Sequence, residues 1–215
     1  MEASELKAVL DAHALWLQGK GGERANLRSA DLQGANLRSA NLRSADLQDA
    51  DLQGANLRSA GLYGAGLYGA DLRSASLQGA DLRSADLRSA DLQGANLQGA
   101  NLQGANLRHA NLQDANLQGA NLRSAGLYGA DLRSAGLRGT GILRVYVQGY
   151  EATAYPDGRA VFGCESHTFE EWEGLHHTLA QRWAPGDVEK MAEVTRAFVE
   201  LAKATRELAE GWTEE

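Results

Sequence analysis

The chain has 215 residues, a formal net charge of −7, 25 Gly, 2 Pro and 1 Cys. One cysteine excludes a disulfide framework and fits a reducing compartment, and no apolar run of about 18 residues is present for a membrane span. Met1-Glu2-Ala3-Ser4-Glu5 lacks the basic-then-apolar order of a signal peptide, so a cytoplasmic location is expected. Three compositions succeed one another. Residues 1–24 hold 3 basic and 4 acidic side chains, residues 25–139 hold 11 Arg and 10 Asp with no Lys or Glu, and residues 140–215 hold 7 basic and 14 acidic.

Ser4 to Gln18 reads as a helix. Ser4 is the expected N-cap, and Leu6, Val9, Leu10, Ala14 and Leu17 form the apolar stripe. Gly19, Gly21 and Gly22 end it. The helix is expected to cover the open end of the repetitive region that begins at Ala25, with Trp16 packing at the junction and His13 at the surface or boundary.

From Ala25 to Gly139 the chain repeats every five residues, in 23 units with Ala first and Leu third. The second residue is Asn, Asp, Gly or Ser, the fourth Arg, Gln or Tyr, and the fifth Gly or Ser except at Asp49, His109 and Asp114. A helix would scatter leucines spaced by five around its axis, at about 100° per residue. A strand would send them to alternate faces. A coil that turns one corner per unit points every Leu and Ala inward, and Gly, Ser, Asn and Asp tolerate the corners.

This pattern, Ala-(Asp/Asn)-Leu-X-X, resembles the pentapeptide-repeat family. The resemblance implies a mainly β fold, a right-handed quadrilateral β-helix with four units per coil and about six coils. Residues 20 apart then stack. The column Asp31, Asp51, Asp71, Asp91, Asn111, Asp131 shares one face, with Arg73 and Arg133 as neutralising partners. Arg28, Gln48, Tyr68, Arg88, Arg108 and Tyr128 form a second column, and Arg43, Tyr63, Arg83, Gln103 and Arg123 a third. Tyr and Arg together are the composition of interaction hot spots. Tyr63, Tyr68, Arg88, Arg108 and Tyr128 are the interaction candidates.

Beyond Gly139, Thr140-Gly141-Ile142 is a degenerate unit. Val145, Val147, Ala152, Ala154, Val161 and Phe162 flank the turn signal Tyr155-Pro156-Asp157-Gly158, which predicts a hairpin. Thr168 with Glu171 is a capping box for a helix through Trp183, and Asp187 caps a second helix reaching Leu208. The segment Gly163 to Trp172 resembles a module found after pentapeptide repeats in some bacterial and phage-encoded proteins. The domains expected are an N-terminal helical cap at 1–24, the β-helix at 25–139, and a hairpin and helical cap at 140–215.

Cys164, His167, His176 and His177 are the residues from which a zinc site would be built. Their spacing matches no standard finger, and adjacent helical histidines point about 100° apart. No metal, cofactor or catalytic role is therefore expected, and the chain reads as a non-enzymatic scaffold for protein–protein contact. Trp172, Trp183, Phe198 and Trp212 suggest a homodimer through residues 140–215. Two further readings stay open. Some members of the resembling family imitate DNA and bind DNA gyrase, and the tail resemblance implies a phage structural or accessory protein. Direct nucleic-acid binding is disfavoured by ten Asp interleaved with eleven Arg.

Overall fold

The structure is a computed structural model that describes residues 1–127 and 129–140, together with the strands lying between residues 143 and 168. The chain divides into two compact units, Met1–Arg138 and Gly139–Glu215.

The first unit opens with α1, Ala3–Leu17. Its N-cap is Glu2, without a side-chain cap bond, so Ser4 lies inside the first turn rather than at the cap. The inward stripe also differs from the expected one. Leu6, Val9, Leu10 and Leu17 are partly covered, but His13 is fully buried while Ala14 is exposed. His13 stands seven residues after Leu6, so it takes the helical position that points at the coil. Trp16 stays exposed and stacks on His13, with ring centroids 5.5 Å apart. Gly22 has φ +75°, and a Cβ there would collide with the Ala12 carbonyl oxygen and lie 2.9 Å from Leu15 Cβ. Only glycine lets the chain turn this close beneath its own helix.

From Asn26 onward each second-position residue bridges in parallel to the residue 20 positions later, as in Asp31 to Asp51 to Asp71 to Asp91. Four five-residue units therefore complete one coil. Three main-chain hydrogen bonds per unit link successive coils. Around the unit that begins at Ala45, Asp46 N–H donates to the Ala25 carbonyl at 2.9 Å, Leu47 N–H to Gly66 at 2.7 Å, and Asp49 N–H to Tyr68 at 2.9 Å. A fourth bond, Ala50 N–H to the Leu47 carbonyl at 3.2 Å, closes the corner.

The corner explains the fifth position. All twenty-three fifth-position residues have positive φ, from +51° at Ser29 to +75° at Gly139. Such a backbone crowds Cβ, so Gly is free there, and Ser, Asp and His hold it through their short or polar side chains. The third-position leucines from Leu27 to Leu132 are at most 4% exposed. Full burial of one leucine stabilises by roughly 1.5–3 kcal/mol, repeated four times per coil. The expected inward Leu and Ala are what the structure shows.

The second unit contains an antiparallel sheet in the order β1-β2-β3-β4, with β1 Leu143–Val147, β2 Tyr150–Ala154, β3 Arg159–Phe162 and β4 Glu165–Thr168. The expected hairpin is its β2–β3 pair, with Ala154 opposite Ala160. Thr168 ends β4, and the expected helices beyond it lie outside the described residues.

Candidate interaction surface

The second-position side chains build the exterior. In every unit with Asn or Asp there, the Oδ1 accepts the N–H two residues on, as from Arg43 to Asn41 at 3.3 Å and from Arg83 to Asp81 at 3.3 Å. These Asx turns brace each side of the coil. Where Arg follows Asp in the same unit, an ion pair forms as well. Arg83 meets Asp81 and Arg88 meets Asp86, each at 2.7 Å, and Arg73 meets Asp71 and Arg133 meets Asp131, each at 2.5 Å. Hydrogen bonds from the arginines hold the carboxyls of Asp71, Asp81 and Asp86 below the ordinary carboxylate range.

The 20-residue register sorts charge in a way that composition hides. The side that begins at Asp31 carries Asp31, Asp51, Asp71, Asp91, Asp114 and Asp131 against Arg73 and Arg133, net −4. The side that begins at Asn36 carries Arg38, Arg58 and Arg138 and no carboxylate, net +3. The side from Asn41 is net +2 and the side from Asn26 is neutral. The expectation that arginines neutralise the Asp column is therefore corrected. Its carboxylates outnumber the two arginines, and Asp51 and Asp91 accept instead from the Gln33 amide at 2.6 Å and the Asn111 amide at 3.0 Å. An arginine can reach only the aspartate of its own unit well: Arg73 lies 2.5 Å from Asp71 but 3.9 Å from Asp91.

Tyr63 and Tyr68 occupy consecutive units on adjoining sides and are 37% and 43% exposed. Arg43 and Arg83, from the coils before and after, stack over the Tyr63 ring at 4.9 and 5.5 Å from its centroid, and Arg88 lies 5.6 Å from that of Tyr68. Such contacts hold the rings by about 0.5–1 kcal/mol each at exposed sites. Arg88 is thus shared between Asp86 and Tyr68. Arg108 sits one coil beyond Arg88, and its N–H donates to Asn106 at 3.3 Å. Tyr128 lies outside the described residues.

His167 is placed in β4 opposite Ala160. Cys164, His176 and His177 lie outside the described residues. Among the described residues no group of three His, Cys, Asp or Glu is placed to hold a metal ion, and no helix is long and apolar enough to cross a membrane.

His13, expected at the surface or boundary, is instead buried. Its Nδ1 accepts the Ala25 N–H at 3.1 Å, burial holds its pKa below the ordinary value, and its Nε2 has no hydrogen-bond partner among the described residues. The Met1 ammonium donates to the Asp31 carbonyl at 2.9 Å. That carbonyl matches the Asp51 carbonyl, which accepts Leu32 N–H one coil along. Contacts from His13 of α1 and from Met1, just before it, thus occupy main-chain groups that an earlier coil would otherwise engage.

The sequence profile of pentapeptide repeats (8 copies) matches residues 23–58, 65–104 and 100–139, just over half of the chain. The chain belongs to the pentapeptide-repeat family, and its repeat region has that family's right-handed β-helix. Among solved structures it is similar to HetL, a pentapeptide repeat protein involved in heterocyst differentiation regulation from the cyanobacterium Nostoc sp. strain PCC 7120. The identity is 39% over 55% of this chain and 60% of HetL, with a TM-score of 0.33. A pentapeptide repeat protein of the Arabidopsis thaliana thylakoid lumen is 31% identical over 46% of this chain and 66% of its own, at TM-score 0.37. QnrB1, a plasmid-mediated fluoroquinolone resistance protein, is 20% identical over 55% of this chain and 65% of its own, at TM-score 0.36. The chain spans less than two thirds of each of these three proteins. No curated protein matches it.

Proposed function

We propose that this protein is a non-enzymatic scaffold of about six coils, closed at its first coil by α1, that binds a protein partner through the Tyr63–Tyr68 ridge. The observation that carries this reading is the stacking of Arg43, Arg83 and Arg88 on the two exposed tyrosines. Large rings already held in place lose little entropy on binding and supply the contact area of a hot spot. Residues 140–215 form a separate domain through which two copies associate. The test is capture of a partner by the full chain and by Tyr63→Ala with Tyr68→Ala. Loss of capture with the tyrosines, and retention in Asp51→Asn with Asp71→Asn, supports the scaffold.

A second reading has its own observation. The Asp31 side, with net −4 and one carboxylate per coil from Asp31 to Asp91, offers an acidic strip of the kind that imitates a nucleic-acid backbone. On that reading the partner is a DNA-binding enzyme such as DNA gyrase. Inhibition of gyrase supercoiling that disappears with Asp51→Asn and Asp71→Asn, while Tyr63→Ala and Tyr68→Ala leave it intact, would replace the scaffold reading by this one.

A further inference from the structure

The column Asn41, Gly61, Asp81 is interrupted at its middle. Asn41 and Asp81 each present an Oδ1 that accepts the N–H two residues on, from Arg43 and Arg83, at 3.3 Å. Gly61 has no side chain, so the equivalent N–H of Tyr63 is left without an acceptor among the described residues. A cleft of about 590 Å³ opens there, lined among others by Asn41, Arg43, Gly61, Tyr63, Asp81 and Arg83. Asp81 is held by Arg83. Arg43 stacks on Tyr63 and makes no ion pair within 4.0 Å among the described residues.

A main-chain donor and a guanidinium thus face the place where, in other units, an Asp or Asn oxygen sits. The missing group is a carboxylate or amide oxygen, and the guanidinium beside it favours the carboxylate. The cleft is lined by two arginines, Arg43 and Arg83, against a single aspartate, Asp81. Among the other glycine gaps, that at Gly66 has a carboxylate on both sides, Asp46 and Asp86, whereas the Gly61 gap has Asp81 on one side and the neutral Asn41 on the other. We propose that the Gly61 gap is an anchoring pocket for an aspartate or glutamate side chain of a protein partner, which accepts hydrogen bonds from Tyr63 N–H and the Arg43 guanidinium. Charge-assisted bonds of this kind are the strong ones. The proposal rests on the scaffold reading and adds the chemistry of the partner.

The test uses the full chain, labelled with 15N, titrated with a blocked hexaglutamate peptide and with a blocked hexaglutamine peptide. Saturable movement of the Tyr63 amide and Arg43 Nε–H signals with the first peptide alone is the expected result. Gly61→Asp fills the gap from within. Its new Cβ would meet only Asn41 Oδ1 at 3.5 Å, an ordinary contact, and Asp is common at this place in the repeat. Binding should weaken about tenfold or more. Arg43→Gln, with a residue that other units use at that place, should weaken it too, while Gly66→Asp should leave it intact. Binding unchanged by Gly61→Asp, or equal movement with inorganic phosphate, would overturn the proposal. If partner capture is lost with Tyr63→Ala and Tyr68→Ala but survives Gly61→Asp, the scaffold stands and the carboxylate pocket falls.

Discussion

His13 Nδ1 accepts the main-chain N–H of Ala25 at 3.1 Å, inside a junction that leaves the imidazole no exposed surface. The ring therefore joins helix to coil as a neutral base, because a proton on Nδ1 would displace this bond. His13→Ala should leave the Ala25 donor unsatisfied and cost about 1–3 kcal/mol. Hydrogen exchange should rise at residues 25–32 and in α1 before it rises in the central coils.

The pH dependence has a definite sign. The folded-state pKa of His13 lies below 6.5, first because burial disfavours its charged form and then because Arg24 repels it, partly offset by the Arg43 main chain. The unfolded chain binds the extra proton, so stability from this residue is complete above about 6.5 and falls as pH drops toward the folded value. Asp71, Asp81 and Asp86 act in a lower window, their contribution being present above 3.8 and lost as pH falls through their lowered folded values. Thermal melts at about pH 7.5 and about pH 5 should differ for the wild-type chain and agree more closely for His13→Gln. Equal wild-type melts would remove His13 as the titrating group.

The corner residues give a second stability test. Ser89 has φ +56°, so Ser89→Val should cost at least roughly 1–2 kcal/mol, the penalty of a left-handed backbone for a branched side chain. Ser89→Gly should be neutral or slightly stabilising. Urea unfolding of the two variants decides it.

Leu87 is fully buried in the middle of the stack. Leu87→Asp places an unpaired charge among leucines and should cost more than about 4 kcal/mol. Each coil rests on its neighbours, so the loss should spread to residues 67 and 107 rather than stay local. Exchange protection at those positions measures the spread.

Association through residues 140–215 predicts a dimer for the full chain in sedimentation and a monomer for a chain ending near residue 139. A full chain that sediments as a monomer at high concentration would dispose of it.

The five-residue period made the buried Leu and Ala and the positive-φ corner legible, because each is dictated by where a coil must turn. His13 was not legible. Its spacing from Leu6 and Leu17 puts it on the inward stripe of α1, but an imidazole there does not reveal its partner, a donor twelve residues away. The division of charge among the sides was hidden by arithmetic: ten Asp and eleven Arg nearly cancel until residues 20 apart are placed over one another. The gap beside Tyr63 did leave a trace in Gly61-Leu62-Tyr63, where glycine replaces the Asx that precedes most fourth-position residues. It gained meaning only once the bond from Arg43 N–H to Asn41 showed what the glycine omits.

Because the coil takes 20 residues and the unit takes five, the length of an insertion sets the phase of everything beyond it. Twenty added residues would leave each column in line. Five added after Ala75 would turn the remainder by a quarter, carrying Asp91 into the column of Asn36 and Asn56 and Ser76 into that of Asn41 and Gly61. The hydrophobic interior would scarcely register such an event, since every unit offers it the same Leu and Ala. The exterior would be rewritten: the acidic strip would stop at Asp71 and resume on another side. Duplication of a single unit can thus change what this rod presents to a partner without changing how it folds.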